Sequence, residues 1–213
     1  MTLHNSHGFL IEKATPHDKD DFARLMLISA PIFLPTIFGK RALSIFKCLF
    51  LKHANLFSMD HVYVVKSEGT VGSMVLFYDW RIKEKEDIKT GLAMFCCMGV
   101  DFLARIPLFI KAGSCTGYVR KGEIYISNLA TYPKFRGRGM ASALIAKVEE
   151  EAKKTGGKYL SLDVEVENTG AIKLYQRLGF HIIKESSTTL KNRQFSFYRM
   201  IKKSSYSPKV YKF

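Results

Sequence analysis

The sequence predicts a mixed α/β fold, in which helices flank one sheet. Strand-like and helix-like patterns alternate over the second half of the chain, and the last two strand-like stretches follow each other without a helix, as antiparallel strands do. The chain has 213 residues, of which 47% are hydrophobic, enough for a buried core and incompatible with a disordered basic polypeptide. We therefore expect a single domain over residues 1–213.

The first half of the chain combines strands and helices less regularly. Residues 9–14 favour a strand, and a turn that can cap a helix precedes Lys19, where we expect the first helix. Residues 41–57 predict a second helix, because apolar side chains recur there at three- and four-residue spacing. Residues 61–65 and 71–80 are rich in β-formers and flank a turn, which indicates a hairpin.

A long connection, residues 83–121, follows this hairpin. Its residues 83–89 are charged and expected to be solvated, whereas residues 91–112 are apolar and aromatic. We predict one or two short helices there, broken at Gly99 and Pro107. This insert either covers a pocket or completes the core.

From residue 122 the patterns become regular. A strand is predicted at residues 123–129, followed by a loop with two glycines and by a helix with one apolar stripe. That stripe consists of Ala141, Leu144, Ile145, Val148 and Ala152. The remaining predicted elements are a strand at 160–167, a helix at 171–178 and strands near 181–186 and 195–201.

The glycine-containing loop has the features of an anion site. The amino terminus of a helix presents unpaired N–H groups and the positive end of its dipole, and Gly137 and Gly139 would let a bulky anion approach the backbone. Lys134, Arg136 and Arg138 add positive charge. The spacing matches neither a Walker loop nor a Rossmann loop, and by itself it is equally typical of a tight turn.

Two motifs around this loop resemble those of the GNAT N-acetyltransferase superfamily. The first runs Leu129-Ala130-Thr131-x-Pro133-x-x-Arg136-Gly137-Arg138-Gly139-Met140-Ala141, in which Arg136, Gly139 and Ala141 meet the core Arg/Gln-x-x-Gly-x-Gly/Ala of the acetyl-CoA signature. The second runs Leu162-x-Val164-x-x-x-Asn168-x-x-Ala171-x-x-Leu174-Tyr175-x-x-Leu178-Gly179-Phe180. Together they cover about residues 123–186. The resemblance implies a GNAT-like, mostly antiparallel sheet flanked by helices, with a helical insert before the cofactor-binding strand.

The resemblance also implies a role for individual residues. The backbone from Arg136 to Ala141 would bind the CoA pyrophosphate, and the strand before it would run beside the pantetheine arm, with one N–H polarising the acetyl carbonyl. Tyr175 would protonate the departing thiolate. The implied cofactor-binding residues are Leu129, Ala130, Thr131, Arg136, Gly137, Arg138, Gly139, Met140, Ala141, Asn168 and Ala171.

The base that would deprotonate an ammonium substrate stays unassigned. Many family members carry a carboxylate at the position of Tyr125, whereas this chain has Glu123 on the same face of the predicted strand. Asp163, Glu165 and Glu167 on the next strand are alternatives. Ordered water is another.

The function that the resemblance implies is direct transfer of the acetyl group of acetyl-CoA to an amine, for which we favour a small molecule. A protein or peptide amine and a non-catalytic CoA-binding regulatory module are the alternatives. The aromatic residues of the insert would form an apolar wall for the acceptor or pack in the core; these are Phe95, Phe102, Phe109 and Tyr118. Six scattered histidines show no metal-ligand spacing, so no metal is expected. A homodimer is one alternative for the oligomeric state.

Several features predict a cytoplasmic protein without a membrane span. The amino terminus lacks the apolar segment of a signal peptide, and the longest uncharged run, residues 25–39, is short and contains two prolines. The four cysteines form no C-x-x-C pair, which favours buried or idle thiols in a reducing compartment.

The net charge is +14, and most of it lies in two segments. Residues 134–158 carry seven basic and three acidic side chains, and residues 184–213 carry eight and one. The resemblance implies a target for the first excess, the phosphates of CoA. For the second, which includes a basic tail at about 202–213, we favour a solvated strand face and tail over a site for nucleic acid or a membrane surface. No nucleic-acid partner is expected.

Overall fold

One sheet of eight strands runs through the computed structural model, which describes residues 3–4 and 8–204, and helices pack on both faces of the sheet. The described strands are β1 (Leu3–His4), β2 (Leu10–Lys13), β3 (Val62–Ser67), β4 (Thr70–Asp79), β5 (Glu123–Thr131), β6 (Tyr159–Glu165), β7 (His181–Leu190) and β8 (Arg193–Lys203). The described helices are α1 (Lys19–Ser29), α2 (Phe33–Phe38), α3 (Ala42–Leu51), α4 (Trp80–Met98), α5 (Asp101–Gly113), α6 (Met140–Thr155) and α7 (Thr169–Arg177). This architecture confirms the predicted mixed, mostly antiparallel sheet.

The strand order is β1-β2-β3-β4-β5-β6-β8-β7, and β5 and β6 form its one parallel pair among the described strands. This pair runs in register only from Glu123 opposite Tyr159 to Ile126 opposite Leu162. Both strands continue beyond that point, but not as partners. A β-bulge at Ser127 accompanies the separation, because Phe77 and Leu76 of β4 oppose Ile126 and Asn128. The two strands therefore leave a gap between them.

Alternate residues of the central strands contribute to two hydrophobic cores, one on each face of the sheet. Val64 and Met74 pack against helices α1 to α5, which we call the α1–α5 face. Their neighbours Val65 and Val75 pack against α6 and α7, the α6–α7 face. This alternation is the period of two that an extended strand imposes on its side chains.

A buried polar cluster, which we call the Arg199 cluster, joins β5, β6 and β8. Arg199 donates hydrogen bonds to Glu123 Oε2 at 2.6 Å and to Asp163 Oδ2 at 3.2 Å. The Tyr125 hydroxyl donates to Asp163 Oδ2, and the Ser161 hydroxyl donates to Glu123 Oε2, each at 2.9 Å. Burial raises the pKa of Asp163, and the Arg199 guanidinium opposes that rise. One guanidinium thus forms ion pairs with two buried carboxylates.

The insert is more helical than its sequence predicts. Asp79 Oδ1 accepts a hydrogen bond from the Ile82 N–H at 2.9 Å and caps α4, so the charged residues 83–89 belong to a helix rather than to a loop. Gly99 ends α4, as predicted. Pro107 lies inside α5, so the predicted break there is wrong; the residue is exposed, and proline removes only one backbone donor.

The predicted helix over 41–57 is too long. α3 ends at Leu51, where Lys52 adopts an extended conformation. The Asn55 side-chain amide then donates to the carbonyl oxygens of Leu49 and Lys52 at 3.0 and 2.6 Å, which satisfies two acceptors at the end of the helix.

The prediction of free thiols is wrong for two of the four cysteines. A disulfide joins Cys48 on α3 to Cys97 on α4, with 5.9 Å between their Cα atoms. The two positions are 49 residues apart, and only the packing of α3 against α4 brings them together. Local spacing therefore could not reveal the pair. Cys96 and Cys115 are free.

No helix among the described residues combines the length and hydropathy needed to cross a bilayer. The basic tail expected at about 202–213 is described only as far as Ser204, so its residues 205–213 lie outside the described part of the chain.

Replacing Arg199 with leucine should lower the free energy of unfolding by about 3–5 kcal/mol at pH 7, because it leaves Glu123 and Asp163 buried without their cation. The deficit should shrink as the pH falls. Loss of the guanidinium raises the pKa of Asp163 further, so the folded variant binds a proton more tightly than the unfolded chain does and gains stability at lower pH. Urea unfolding at several pH values measures this.

Lys203→Leu is the matched control, because Lys203 is exposed at the end of the same strand. It should change the unfolding free energy by less than about 0.5 kcal/mol. A deficit in Arg199→Leu that is equally small would contradict a structural role for the Arg199 cluster.

Candidate active site

The gap between β5 and β6 opens into a cleft of about 640 Å³. The end of β5, the loop that follows it, the first turn of α6 and one side of α7 form its walls. Of the twelve predicted site residues, eleven line this cleft and Arg138 does not. The eleven are Leu129, Ala130, Thr131, Arg136, Gly137, Gly139, Met140, Ala141, Asn168, Ala171 and Tyr175.

The edge of β5 that faces the gap has free backbone groups. The Tyr132 N–H donates to the Gly72 carbonyl at 2.9 Å, which fixes the alternation of hydrogen bonds between β4 and β5. Ala130 and Asn128 therefore direct their backbone groups towards β4, whereas Leu129 and Thr131 direct theirs away from it. Because β6 no longer pairs with β5 here, those groups face the cleft. An extended ligand could add to this edge as a strand would.

The loop after β5 presents a second set of free donors. Gly137 and Gly139 have φ angles of 76° and 79°, in the left-handed region that favours glycine. A Cβ at Gly137 would meet no other atom within 4 Å, so open space lies beside the backbone. Within the described part of the chain, the N–H groups from Gly137 to Ser142 donate to no backbone carbonyl. Together with the positive end of α6, they form a cradle for an anion.

Close packing fixes where this cradle sits. At Gly72 of β4, a Cβ would lie 2.7 Å from the Met140 Sδ at the start of α6. The first turn of α6 therefore packs directly against the backbone of β4.

Some of the basic side chains near the cradle line the cleft, and others lie against an aromatic ring. Arg136 lines the cleft, and its Nε donates to the Thr131 carbonyl at 3.4 Å. Lys134 and Arg138 instead lie against the ring of Phe135, with 4.9 and 5.4 Å between each charge centre and the ring centroid. Arg177, at the end of α7, lines the cleft from the opposite side. The sequence did not single out Arg177, because it lies outside the matched motif positions.

Helix α7 forms the other wall. Asn168 caps it, with Oδ1 accepting from the Ala171 N–H at 3.2 Å. Ala171 and Tyr175 are four residues apart and therefore share one face of the helix. Tyr175 is buried, and burial raises the pKa of its hydroxyl above the usual range, so the group is protonated at neutral pH.

A second cavity, of about 350 Å³, adjoins the cleft. The two share five wall residues: Ser29, Leu129, Asn168, Ala171 and Tyr175. The second cavity lies on the α1–α5 face, under helices of the first half and of the insert. Ser29 belongs to α1, and its Oγ accepts a hydrogen bond from the Asn128 Nδ2 at 2.8 Å. No sequence motif marked this contact, which depends on the packing of α1 against β5.

The aromatic residues of the insert occupy different environments. Phe109 lines the second cavity, and Phe102 packs against the core of the α1–α5 face. Phe95 and Tyr118 are exposed, by 44% and 69%. Only Phe109 is thus placed as an apolar wall, and the two exposed residues fit neither of the expected roles.

The carboxylates considered as bases are also placed differently. Glu123 is buried in the Arg199 cluster and lines neither cavity. Asp163 lines the second cavity, but its Oδ2 accepts from the Gly117 N–H, the Tyr125 hydroxyl and Arg199. Glu167 is exposed.

Glu165 differs from these carboxylates. It lines the second cavity, and its Oε1 is buried without a hydrogen bond from any described residue. Burial raises its pKa, Glu167 adds to the rise and Arg193 opposes it. Among these carboxylates, Glu165 has the oxygen that is both buried and unpaired. Among the described residues, no group of three or more histidine, cysteine, aspartate or glutamate side chains could hold a metal ion.

Comparisons with known proteins agree with this geometry. A family model described as "Acetyltransferase (GNAT) family" matches residues 57–180. An uncharacterized N-acetyltransferase of Methanocaldococcus jannaschii is 37% identical over 107 residues, which cover 49% of this chain and 43% of the relative. The aligned region thus spans less than half of that relative's length.

Two solved structures share the fold. An N-acetyltransferase from Staphylococcus aureus is 21% identical, with a TM-score of 0.68 over 90% of this chain and 98% of that one. A chain from Salmonella typhimurium, solved with its cofactor acetyl-CoA, is 14% identical, with a TM-score of 0.53 over 94% and 96%. At such identities these structures show the fold alone.

Proposed function

This chain belongs to the acetyltransferase (GNAT) family, and from that premise we propose that it transfers the acetyl group of acetyl-CoA directly to the amine of a small molecule. The observation that carries the proposal is the gap between β5 and β6, with free backbone groups on one wall, an anion cradle at one end and Tyr175 opposite. These three features match the three parts of an acyl thioester of CoA: an extended amide-containing arm, a pyrophosphate and a sulfur leaving group.

The cradle suits the pyrophosphate. Backbone N–H groups from Gly137 to Ser142 are free to donate, the helix dipole adds positive potential, and Arg136 and Arg177 stand on opposite walls. The pantetheine arm carries two amides, and the edge of β5 offers them the backbone groups of Leu129 and the N–H of Thr131. One N–H on that edge would polarise the acetyl carbonyl and stabilise the oxyanion that forms when the amine attacks.

Tyr175 suits the leaving group. Collapse of the tetrahedral adduct breaks the C–S bond and leaves a thiolate, whose thiol has a pKa of about 8.5 in water. The buried Tyr175 hydroxyl is protonated at neutral pH and therefore has a proton to give. A thiolate forming in the same buried cavity is destabilised by the same loss of solvent, so proton transfer to sulfur becomes favourable as the charge develops.

Mutation of Gly139 to glutamate should abolish binding of acetyl-CoA, because it places bulk and negative charge in the anion cradle. Isothermal titration calorimetry measures the loss. Gly156→Glu is the matched control: Gly156 is an exposed left-handed residue at the opposite end of α6, so it carries the same backbone strain and added charge. Equal binding by wild type and Gly139→Glu would refute the cradle.

Mutation of Tyr175 to phenylalanine should lower kcat by about a hundredfold, the contribution of a positioned general acid. The dissociation constant of acetyl-CoA should change by less than about twofold, since the ring and its packing against Phe180 remain. Thiol release and calorimetry give the two quantities. Tyr159→Phe, at an exposed tyrosine, controls for loss of a hydroxyl as such. Wild-type turnover by Tyr175→Phe, where chemistry limits the rate, would disprove the acid role.

A further inference from the structure

We infer that the second cavity binds a primary amine with a bulky apolar body, aromatic or branched aliphatic, and that Glu165 receives the proton of its ammonium group. The inference rests on the proposed function, and it names the acceptor class and the base of the same site.

The position of the second cavity fits an acceptor. It adjoins the cleft along a shared wall that includes Leu129 of β5 and Tyr175 of α7. A molecule in the second cavity would therefore reach the acetyl group from the α1–α5 face. The cleft would hold the thioester, and the gap between β5 and β6 would be the meeting point.

One part of the wall of the second cavity is apolar, whereas polar side chains such as Ser127 and Asn128 line other parts. Five phenylalanine rings line the apolar part, from α2, the segment before β3, α5 and β8; they are Phe33, Phe38, Phe57, Phe109 and Phe197. These rings pack against one another, with centroids 4.9 Å apart for Phe33 and Phe197 and 5.4 Å for Phe38 and Phe109. A volume of about 350 Å³ accommodates a small molecule.

The apolar part of the wall disfavours a peptide chain that would lie across it. A peptide chain brings an N–H and a C=O with every residue, and each costs free energy when it is buried without a partner. The five rings offer none. A monoamine, in contrast, has one polar end and needs one polar site.

Glu165 supplies that polar site. Glu165 lies opposite Phe197 in the register of β6 and β8, so its carboxylate lies beside the apolar part of the wall. Its Oε1 is buried without a hydrogen bond, and no ion pair joins Glu165 to a described cation. An unpaired carboxylate in apolar surroundings favours a cationic ligand.

The other charged residues of the cavity are already paired. Asp163 is held in the Arg199 cluster, and Lys83 and Asp87 form an ion pair with each other. Glu165 is thus the carboxylate of this cavity that forms no ion pair with a described residue.

The proton steps balance. The ammonium group gives one proton to Glu165, and the free amine attacks the acetyl carbonyl to form the C–N bond. The C–S bond then breaks, Tyr175 protonates the sulfur, and the remaining excess proton on nitrogen leaves through solvent and restores Tyr175. Glu165 releases its proton to solvent, so the reaction yields an amide, a thiol and one proton.

The first test is binding, which does not depend on turnover. Calorimetry on the full chain saturated with CoA compares 2-phenylethylamine with ethylamine. We expect 2-phenylethylamine to bind at least about thirtyfold more tightly, because the phenyl ring is buried among apolar side chains. A peptide with a free amino terminus serves as a third ligand. Equal or tighter binding of ethylamine or the peptide would overturn the acceptor class.

The second test isolates Glu165. Glu165→Gln should weaken binding of 2-phenylethylamine about tenfold and leave binding of the neutral 2-phenylethanol unchanged, since only the amine loses a charge-assisted hydrogen bond. It should lower kcat/KM by about a hundredfold and remove the acidic limb of the pH profile. Glu167 and Arg193 are the charged groups that influence the pKa of Glu165 and therefore this limb. Equal weakening for amine and alcohol would show a structural effect and overturn the assignment.

Glu167→Gln is the matched control. It removes an exposed carboxylate two residues away, so activity should stay near wild type, while the acidic limb should move to lower pH because Glu167 raises the pKa of Glu165. An unmoved limb would contradict Glu165 as its source.

Different outcomes of these experiments would overturn the acceptor class and the proposed function. Acetyl transfer to ethylamine, without preference for the apolar amine, leaves the proposed function intact and overturns the acceptor class. Selective binding of 2-phenylethylamine without transfer to any amine supports the cavity and overturns the proposed function.

Discussion

The candidate site depends on the place where β5 and β6 stop pairing. Parallel strands in the middle of a sheet normally satisfy each other's backbone groups, but this pair ends at Ile126 and Leu162 while both strands continue. The bulge at Ser127 redirects β5, and the Arg199 cluster holds the paired part together just below the separation. The gap is therefore built into the sheet: it provides free donors and acceptors, and the two cavities meet along it.

Backbone N–H groups, and not only basic side chains, form the proposed anion cradle. Three basic residues precede α6, yet Lys134 and Arg138 lie against the ring of Phe135 and only Arg136 lines the cleft. The N–H groups that remain free are fixed by two left-handed glycines and by the contact of Met140 with Gly72. Such donors need no reorganisation when a ligand binds, whereas a long basic side chain loses rotamer freedom. The basic excess of the chain is thus a poor guide to the position of the proposed anion site.

The sequence predicted the residues that line the cleft, but not those that line the second cavity, for a physical reason. The cleft is built from a loop, a helix start and a helix face, each with a local signature: glycines at Gly137 and Gly139, an asparagine cap at Asn168, and Tyr175 four residues after Ala171. The second cavity is built from distant segments. Ser29, Phe57, Phe109 and Glu165 meet only through packing, as do Cys48 and Cys97, whose disulfide no local pattern revealed. The spacing of residues along the chain does not indicate contacts between distant segments.

The proposed acid and base lie on opposite faces of the sheet. Tyr175 packs with the core of the α6–α7 face, whereas Glu165 alternates with Val164 of that core and therefore points to the α1–α5 face. Burial raises the pKa of both groups, which keeps the phenol protonated and makes the carboxylate a stronger base. If the two were in contact, the phenol would donate to the carboxylate and each would satisfy the other. With the gap between them, the proposed proton acceptor meets the incoming nitrogen and the proposed donor meets the departing sulfur, on either side of the same carbonyl.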